Sequence, residues 1–428
     1  MNLELSTVIP SHKRLGAELL LCCSRTRLAP SRAQRVRQIL EEAIDWSYLI
    51  QASLYHGTTP LLFWNLSRCC PDGAPQVILH QLKASANAVA RWNLSLTGEL
   101  LRLLKLFRDL GLRVIPFKGP VLTVAAYGNL GLRYFDDLDL LLPREDILKA
   151  KEVLVQQGYK PKLQLTASQE TAYLRSHHDY KFVRAADGCT IELQWGVTQW
   201  SFAFPFDFDD VWERCEVVSL ADVAVPHLSL EDLLLLLCVH GTKHRWEQLK
   251  WICDIAELVD AGRQKIDWDR LTSHACSLGG ERMLLLGVCL AHGLLGAALP
   301  REILEKICNN VQVKLLAGQV CERLFRDVSH TARLWDEPPF FYWKVREHWR
   351  DKLALWWRYF PEYFFRMIVP NERDRAFWSL PSWLPSGYYF IRPVRLIGEY
   401  LPDFLRRPLT LRKEKSALKD RTNAPSLS

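Results

Sequence analysis

Residues 117–159 read FKGPVLTVAAYGNLGLRYFDDLDLLLPREDILKAKEVLVQQGY, and this stretch decides the fold. Just ahead of and into it, LRVIPF (Leu112–Phe117) is a short apolar strand. PVLTVAAYG then reads as a short helix with Pro120 in its first turn, where a missing N–H costs nothing. DDLDLLL (Asp136–Leu142) is a second strand, closed by Pro143. The following REDILKAKEVLVQQG is an amphipathic helix with acids in its first turn and Gly158 after its end. Further on, DYKFV and CTIELQW flank Asp187-Gly188, a dipeptide that favours tight hairpin turns. Strands interleaved with helices predict an α+β fold: a small mixed-sheet core at 111–225, embedded in helical segments on both sides.

The chemistry concentrates on the same strands. Side chains alternate along a strand, so Asp137 and Asp139 share one face with Cα atoms ~6.7 Å apart. Two carboxylates aimed at one spot repel, and a hard divalent cation such as Mg²⁺ or Mn²⁺ relieves them. On TIELQW, Glu192 shares its face with Thr190 and Gln194, while Ile191, Leu193 and Trp195 point to the core. Three carboxylates on neighbouring strands can hold two ions ~4 Å apart for in-line displacement at a triphosphate. Asp-x-Asp alone also fits an edge strand with solvated acids. Upstream, Lys118-Gly119 lies where a strand meets a helix start, a place where backbone N–H groups and a lysine receive phosphate.

Strand, Gly turn, helix, Arg, then Asp-x-Asp is the order in which polymerase-β-like nucleotidyltransferases present their site. Residues 117–159 closely resemble the family called uncharacterised nucleotidyltransferases: a Lys-Gly turn, Tyr127-Gly128, Arg133 ahead of Asp137-x-Asp139-Leu-Leu, and a helix ending in Gly158-Tyr159. Further similarity lies at TIELQW and at HGTKHRWEQLKWICDIAEL, and the resemblance extends from about residue 30 to about 400. It implies metal-dependent transfer of a nucleotidyl group from an NTP to an acceptor left open: small molecule, glycan or peptide. Asp137, Asp139 and Glu192 would be the metal-binding and catalytic carboxylates, and Lys118, Gly119 and Arg133 would face nucleotide phosphates. Two departures stand out. The turn lacks the superfamily's Ser, and Gln194 replaces the family's usual His, an amide that cannot titrate. A non-catalytic binding protein on the same scaffold, or a phosphotransferase using the same site, is the rival reading.

Ser229 with Asp232 fits a capping box opening one long helix through Asp260. At 100° per residue His240, His244, Glu247, Trp251 and Asp254 fall on one stripe, below Leu233 and Leu236. The stripe reads either as hydrogen-bonded helical core or as the far wall of the cleft, with His240 and His244 contacting nucleotide or acceptor. The His-x-x-x-His spacing is that of zinc peptidases, but Gly241 stands where those carry Glu. His177-His178-Asp179, ahead of the hairpin, is a polar loop or a neighbour of the site.

Outward from this core, residues 1–110 read as helices: SRAQRVRQILEEAI starting at a Ser cap, and SLTGELLRLLKLFRDLG ending at Gly111. Residues 226–405 form a C-terminal helical region, and 406–428 a basic tail expected to be disordered. The 428 residues carry a net charge of +7. From Arg301 onward 23 basic residues face 15 acidic ones, so the excess sits wholly in the last third. Seven of the sixteen Trp fall between Trp335 and Trp383, among Arg and Lys. That pattern makes 335–407 either helical core or a peripheral membrane surface, and disfavours nucleic acid, since the aromatics follow helical packing. The twelve cysteines show no CxxC spacing and predict reduced thiols. No apolar run exceeds Leu233–Val239, far short of the ~20 residues of a spanning helix. The N-terminal MNLELSTVIPSHKR lacks a basic region followed by an apolar run, so the expected location is the cytoplasm.

Overall fold

A computed structural model describes residues 11–198, 204–205, 207–325 and 338–357. The chain divides into two compact units, one of residues 1–330 with 341–352 and one of 331–340 with 353–428. Of the aromatic-basic stretch 335–407 only 338–357 is described, and the tail 406–428 lies outside the described residues.

Five helices open the chain: α1 (Ser11–Cys22), α2 (Pro30–Leu40), α3 (Trp46–Tyr55), α4 (Thr59–Cys69) and α5 (Gln76–Asp109). The expected Ser cap gives way to Ala29, because Pro30 takes the first helical position and draws Ser31 into the first turn. α5 is twice the length its last half suggests, and it ends as expected, with Gly111 at φ +72°. The mixed α+β core follows: β1 (Ile115–Pro116), α6 (Gly119–Leu122), a π-helical turn over Thr123–Tyr127, β2 (Asp137–Leu141), α7 (Ile147–Gln156), β3 (Tyr159–Pro161), α8 (Ala167–Ser176), β4 (Asp179–Arg184) and β5 (Thr190–Gln194). Strand order is β1-β2-β5-β4-β3, with β2 and β5 parallel and the other pairs antiparallel. The hairpin forms at Asp187-Gly188, with Gly188 at φ +76°.

Beyond the sheet come α9 (Phe208–Glu213), a second hairpin of β6 (Glu216–Leu220) and β7 (Val223–His227), then α10 (Leu230–Lys243), α11 (Leu249–Ala261), α12 (Trp268–Ser277), α13 (Glu281–Leu295), α14 (Arg301–Asn309), α15 (Val311–Leu324) and α16 (Pro338–Val345). The expected continuous helix through Asp260 is two helices. Ser229 caps α10 by accepting from the Asp232 N–H, but the helix stops at Lys243, and Arg245 and Trp246 take left-handed backbone conformations. The cause is packing. Trp246 is fully buried, its ring so close over Gly241 that a Cβ there would sit 2.5 Å from it. A buried indole offsets two strained residues of ~1–3 kcal/mol each only if the turn is otherwise well packed.

Two cores result. Leu138, Leu140, Ile191 and Leu193 pack the far face of the sheet against Leu100, Leu103 and Phe107 of α5. α1–α4 share the second core with α10, α11, α13 and α15. The twelve cysteines are free thiols. Among the described residues no helix is long and apolar enough to cross a membrane.

Candidate active site

The parallel register of β2 and β5 sets Asp139 directly beside Glu192. Two-residue periodicity puts Asp137 on the same face. The ligand oxygens of Asp137, Asp139 and Glu192 lie within 4.8 Å of one another. Asp139 and Glu192 are buried, and Asp137 is half-buried. Burial, and then the neighbouring Asp139 charge, push the Asp137 carboxyl up to about 7. Asp139 is raised as well, by burial above all, against the pull of Lys118.

Three neighbours answer this charge. Lys118 Nζ donates to Asp139 Oδ1 at 3.1 Å, and Lys181 Nζ lies 2.9 Å from Glu192 Oε1. Gln194 Nε2 donates to Asp139 Oδ1 at 2.6 Å and to Glu192 Oε2 at 3.2 Å. The Gln194 amide therefore ties the two carboxylates together. Gly119 has φ +52°, a conformation that disfavours any side chain, and its α-carbon turns the chain back over β2.

The opposite wall of this cleft, a cavity of about 300 Å³, comes from α10 and α11. His240, Lys243 and His244 end α10, and Lys250, Trp251 and Asp254 begin α11. The rings of His240 and His244 lie 4.6 Å apart, and Trp251 is 5.0 Å from His244. Burial, and next the Lys118 charge, hold His240 neutral, well below the usual histidine range. Glu247 does not join the wall; the turn that seats Trp246 leaves it paired with Arg245. Arg133 gives Nε and Nη2 to Asp254 at 2.7 and 2.9 Å, while Tyr127 donates to the same carboxylate at 2.7 Å. Its remaining nitrogen, Nη1, is buried without a hydrogen-bond partner.

Of the cleft residues, His178 and Asp179 were singled out in the sequence as possible neighbours of the site, whereas Lys181, Lys243 and Lys250 were not. Lys243 Nζ meets His178 Nε2 at 3.1 Å, and His178 Nδ1 lies 3.3 Å from Asp179 Oδ1. Burial and then Lys243 push His178 down to about 3. His177 instead stacks on Tyr173 outside the cleft. Lys250 sits over the Tyr134 ring at 5.1 Å. Burial lowers both Lys243 and Lys250, helped by the charges of Lys118 and Arg133 respectively. Lys181 was not legible by counting: a two-residue turn at Asp187-Gly188 would pair Glu192 with Val183, whereas the actual four-residue connection, 185–188, shifts the register by two and pairs it with Lys181. Lys243 and Lys250 carried no signal either, since only the turn at Trp246 aims them at the sheet.

The donor set fits a hard divalent cation. It offers three carboxylates without thiol or imidazole, against two ammonium groups. The family model described as uncharacterised nucleotidyltransferase matches residues 42–296, more than half of the chain and the whole of this cleft. The match is narrower than the span from about 30 to about 400 that the motifs suggest. No curated protein and no solved structure matches.

Proposed function

The chain belongs to the uncharacterised nucleotidyltransferase family, and from that premise we propose that it transfers a nucleoside monophosphate from an NTP to a hydroxyl, amine or phosphate of an acceptor, releasing pyrophosphate. The observation that carries this reading is the convergence of Asp137, Asp139 and Glu192 on a cleft whose other wall presents Lys243 and Lys250. Acids on one wall and ammonium groups on the other suit a metal-bound polyphosphate.

Asp137, Asp139 and Glu192 would hold Mg²⁺ or Mn²⁺, which supplies charge neutralisation of the phosphates and orients the reacting oxygens. The chain's own residues do the rest. The acceptor atom bonds to the α-phosphorus as the bond to the β-phosphate oxygen breaks, and pyrophosphate leaves with its electron pair. Glu192, at the edge nearest Lys181 and Gln194, takes the acceptor proton. Lys118, beside Asp139, offsets charge on the departing pyrophosphate, and the Nη1 of Arg133 offers a buried donor to a phosphate oxygen. Trp251, His240 and His244 give the base or the acceptor an aromatic wall. Preformed donors in a cleft of this kind account for most of the rate in phosphoryl chemistry.

Purified protein incubated with each NTP, Mg²⁺ or Mn²⁺ and a metabolite extract should release pyrophosphate, with mass spectrometry showing a nucleotidylated acceptor. Calorimetry that finds no NTP binding with either metal removes the reading. Gln194 favours a second one, in which the cleft binds nucleotide without turning it over. Tight metal-dependent binding with no product from any NTP would select it.

A further inference from the structure

We propose that Lys118 and Lys181 are exchange cations: each neutralises a carboxylate of the triad until a divalent ion arrives, then hands its charge to the nucleotide's phosphates. Metal and nucleotide then enter as one coupled event. The inference rests on the nucleotide reading above and goes beyond it in assigning Lys181 and in stating the order of charge transfer.

Three observations carry it. Lys118 reaches Asp139 Oδ1 and Lys181 reaches Glu192 Oε1, at 3.1 and 2.9 Å, from opposite sides of the acid pair. Those oxygens belong to the two buried members of the triad, the ones an ion between β2 and β5 must take. Lysine is suited to exchange, because its ammonium is a point charge on a flexible stem, and the Lys181 side chain is 40% exposed. Contrast Arg133, whose planar fork is fixed on Asp254 by two hydrogen bonds with 6% of its side chain exposed.

The consequence is reciprocal coupling. An ion alone must displace two ammonium groups that then lack an anion. A nucleotide alone meets three carboxylates and two ammonium groups already engaged. Together, the ion takes the carboxylates and the lysines take the phosphates, so each ligand strengthens the other by the same factor.

Mn²⁺ titrated by calorimetry into the parent protein, Lys181→Met and Lys149→Met, each with and without a non-hydrolysable ATP analogue, tests this. Lys181→Met removes the competitor for Glu192, so Mn²⁺ alone should bind about tenfold tighter. The further tightening brought by nucleotide should shrink by a similar factor. Lys149, whose ammonium donates to the Leu110 carbonyl outside the cleft, is the control, and its loss should change Mn²⁺ affinity by less than about threefold. Equal gains in the two variants would mean a general field effect and would overturn the exchange. Unchanged or weaker Mn²⁺ binding in Lys181→Met, with coupling intact in the parent, overturns the exchange and leaves the nucleotide reading standing. A parent that binds Mn²⁺ and no nucleotide overturns both.

Discussion

Two groups of buried charge lie on either side of this cleft, and they are finished differently. Behind it, Arg133, Asp254 and Tyr127 close on one another: one guanidinium against one carboxylate, with a phenol completing the oxygen. On the sheet, three carboxylates face two ammonium groups, and the charge is left negative. A satisfied pair holds helix α11 to the segment before β2 and has one residual donor. An unsatisfied cluster costs stability, and a bound cation would relieve that cost. The difference separates the two groups more sharply than burial does, because Asp139 and Glu192 are buried as Arg133 and Asp254 are.

The largest expected effect comes from the fastening. Asp254→Ala leaves the Arg133 guanidinium buried without its partner, at a cost of ~3–5 kcal/mol. Chemical denaturation should show it as a large fall in the midpoint. A loss under ~1 kcal/mol would mean that the pair is not the closed unit described here.

Next is a pH effect on the cleft's upper edge. His178 is held down to about 3 by burial and by Lys243, whereas an unfolded histidine titrates near 6.5. The unfolded chain thus takes up a proton that the fold refuses. Stability contributed by neutral His178 is complete above pH 6.5 and is lost as pH falls toward 3, at up to ~1.4 kcal/mol per pH unit. Between pH 6.5 and 5 the parent should lose up to ~2 kcal/mol from this group. His178→Gln keeps an acceptor for Lys243 and should flatten that part of the stability curve. An unchanged slope would show that Asp179, 3.3 Å from Nδ1, stabilises the charged ring after all.

The binding-site side of the comparison predicts the opposite sign to Asp254→Ala. Asp137→Asn removes one repelling charge at nearly constant volume, and the metal-free protein should keep its stability or gain ~0.5–2 kcal/mol. Protection against thermal unfolding by Mg²⁺ with NTP should vanish in the same variant. A clear drop in metal-free stability with that protection intact would make Asp137 another fastening.

How far these two regions could be read from sequence follows from what makes each. Within each strand the sheet face is local: alternation put Asp137 with Asp139 and Glu192 with Gln194, whereas the parallel β2–β5 pairing that sets Asp139 beside Glu192 joins positions 53 residues apart. Gly111 and Gly158 ended their helices where expected, both at positive φ. The far wall is not local. KHRWEQ contains no Gly or Pro, so nothing in the segment announces the break between α10 and α11. The break comes from Trp246 finding Gly241 and Gly287, the latter on a helix 41 residues away in sequence. That same turn brought His240, His244, Trp251 and Asp254 to one cleft, although the single-helix geometry used to group them does not exist. The β6–β7 hairpin was invisible for a related reason: its turn residues Ala221 and Asp222 take positive φ with neither Gly nor Asn in place.

Gln194 carries the smallest effect when it is replaced by histidine, and a larger one when it is replaced by methionine. Its side-chain amide has two N–H groups and spends them on Asp139 at 2.6 Å and Glu192 at 3.2 Å. A hydrogen bond to a charged acceptor contributes ~1.5–3 kcal/mol when a partner is lost outright, so Gln194→Met, which loses both, should be clearly destabilising in the metal-free protein. A neutral histidine carries one N–H, so Gln194→His keeps one of the two contacts. It should cost ~1 kcal/mol or less in the absence of metal. With Mn²⁺ and NTP bound, the carboxylates would be oriented by the ion, and the difference between parent and Gln194→His should shrink further. If Gln194→His instead raises turnover many-fold while leaving NTP affinity unchanged, a titratable group at this position does chemistry that the amide cannot. The parent cleft would then be better described as a nucleotide holder than as a finished enzyme.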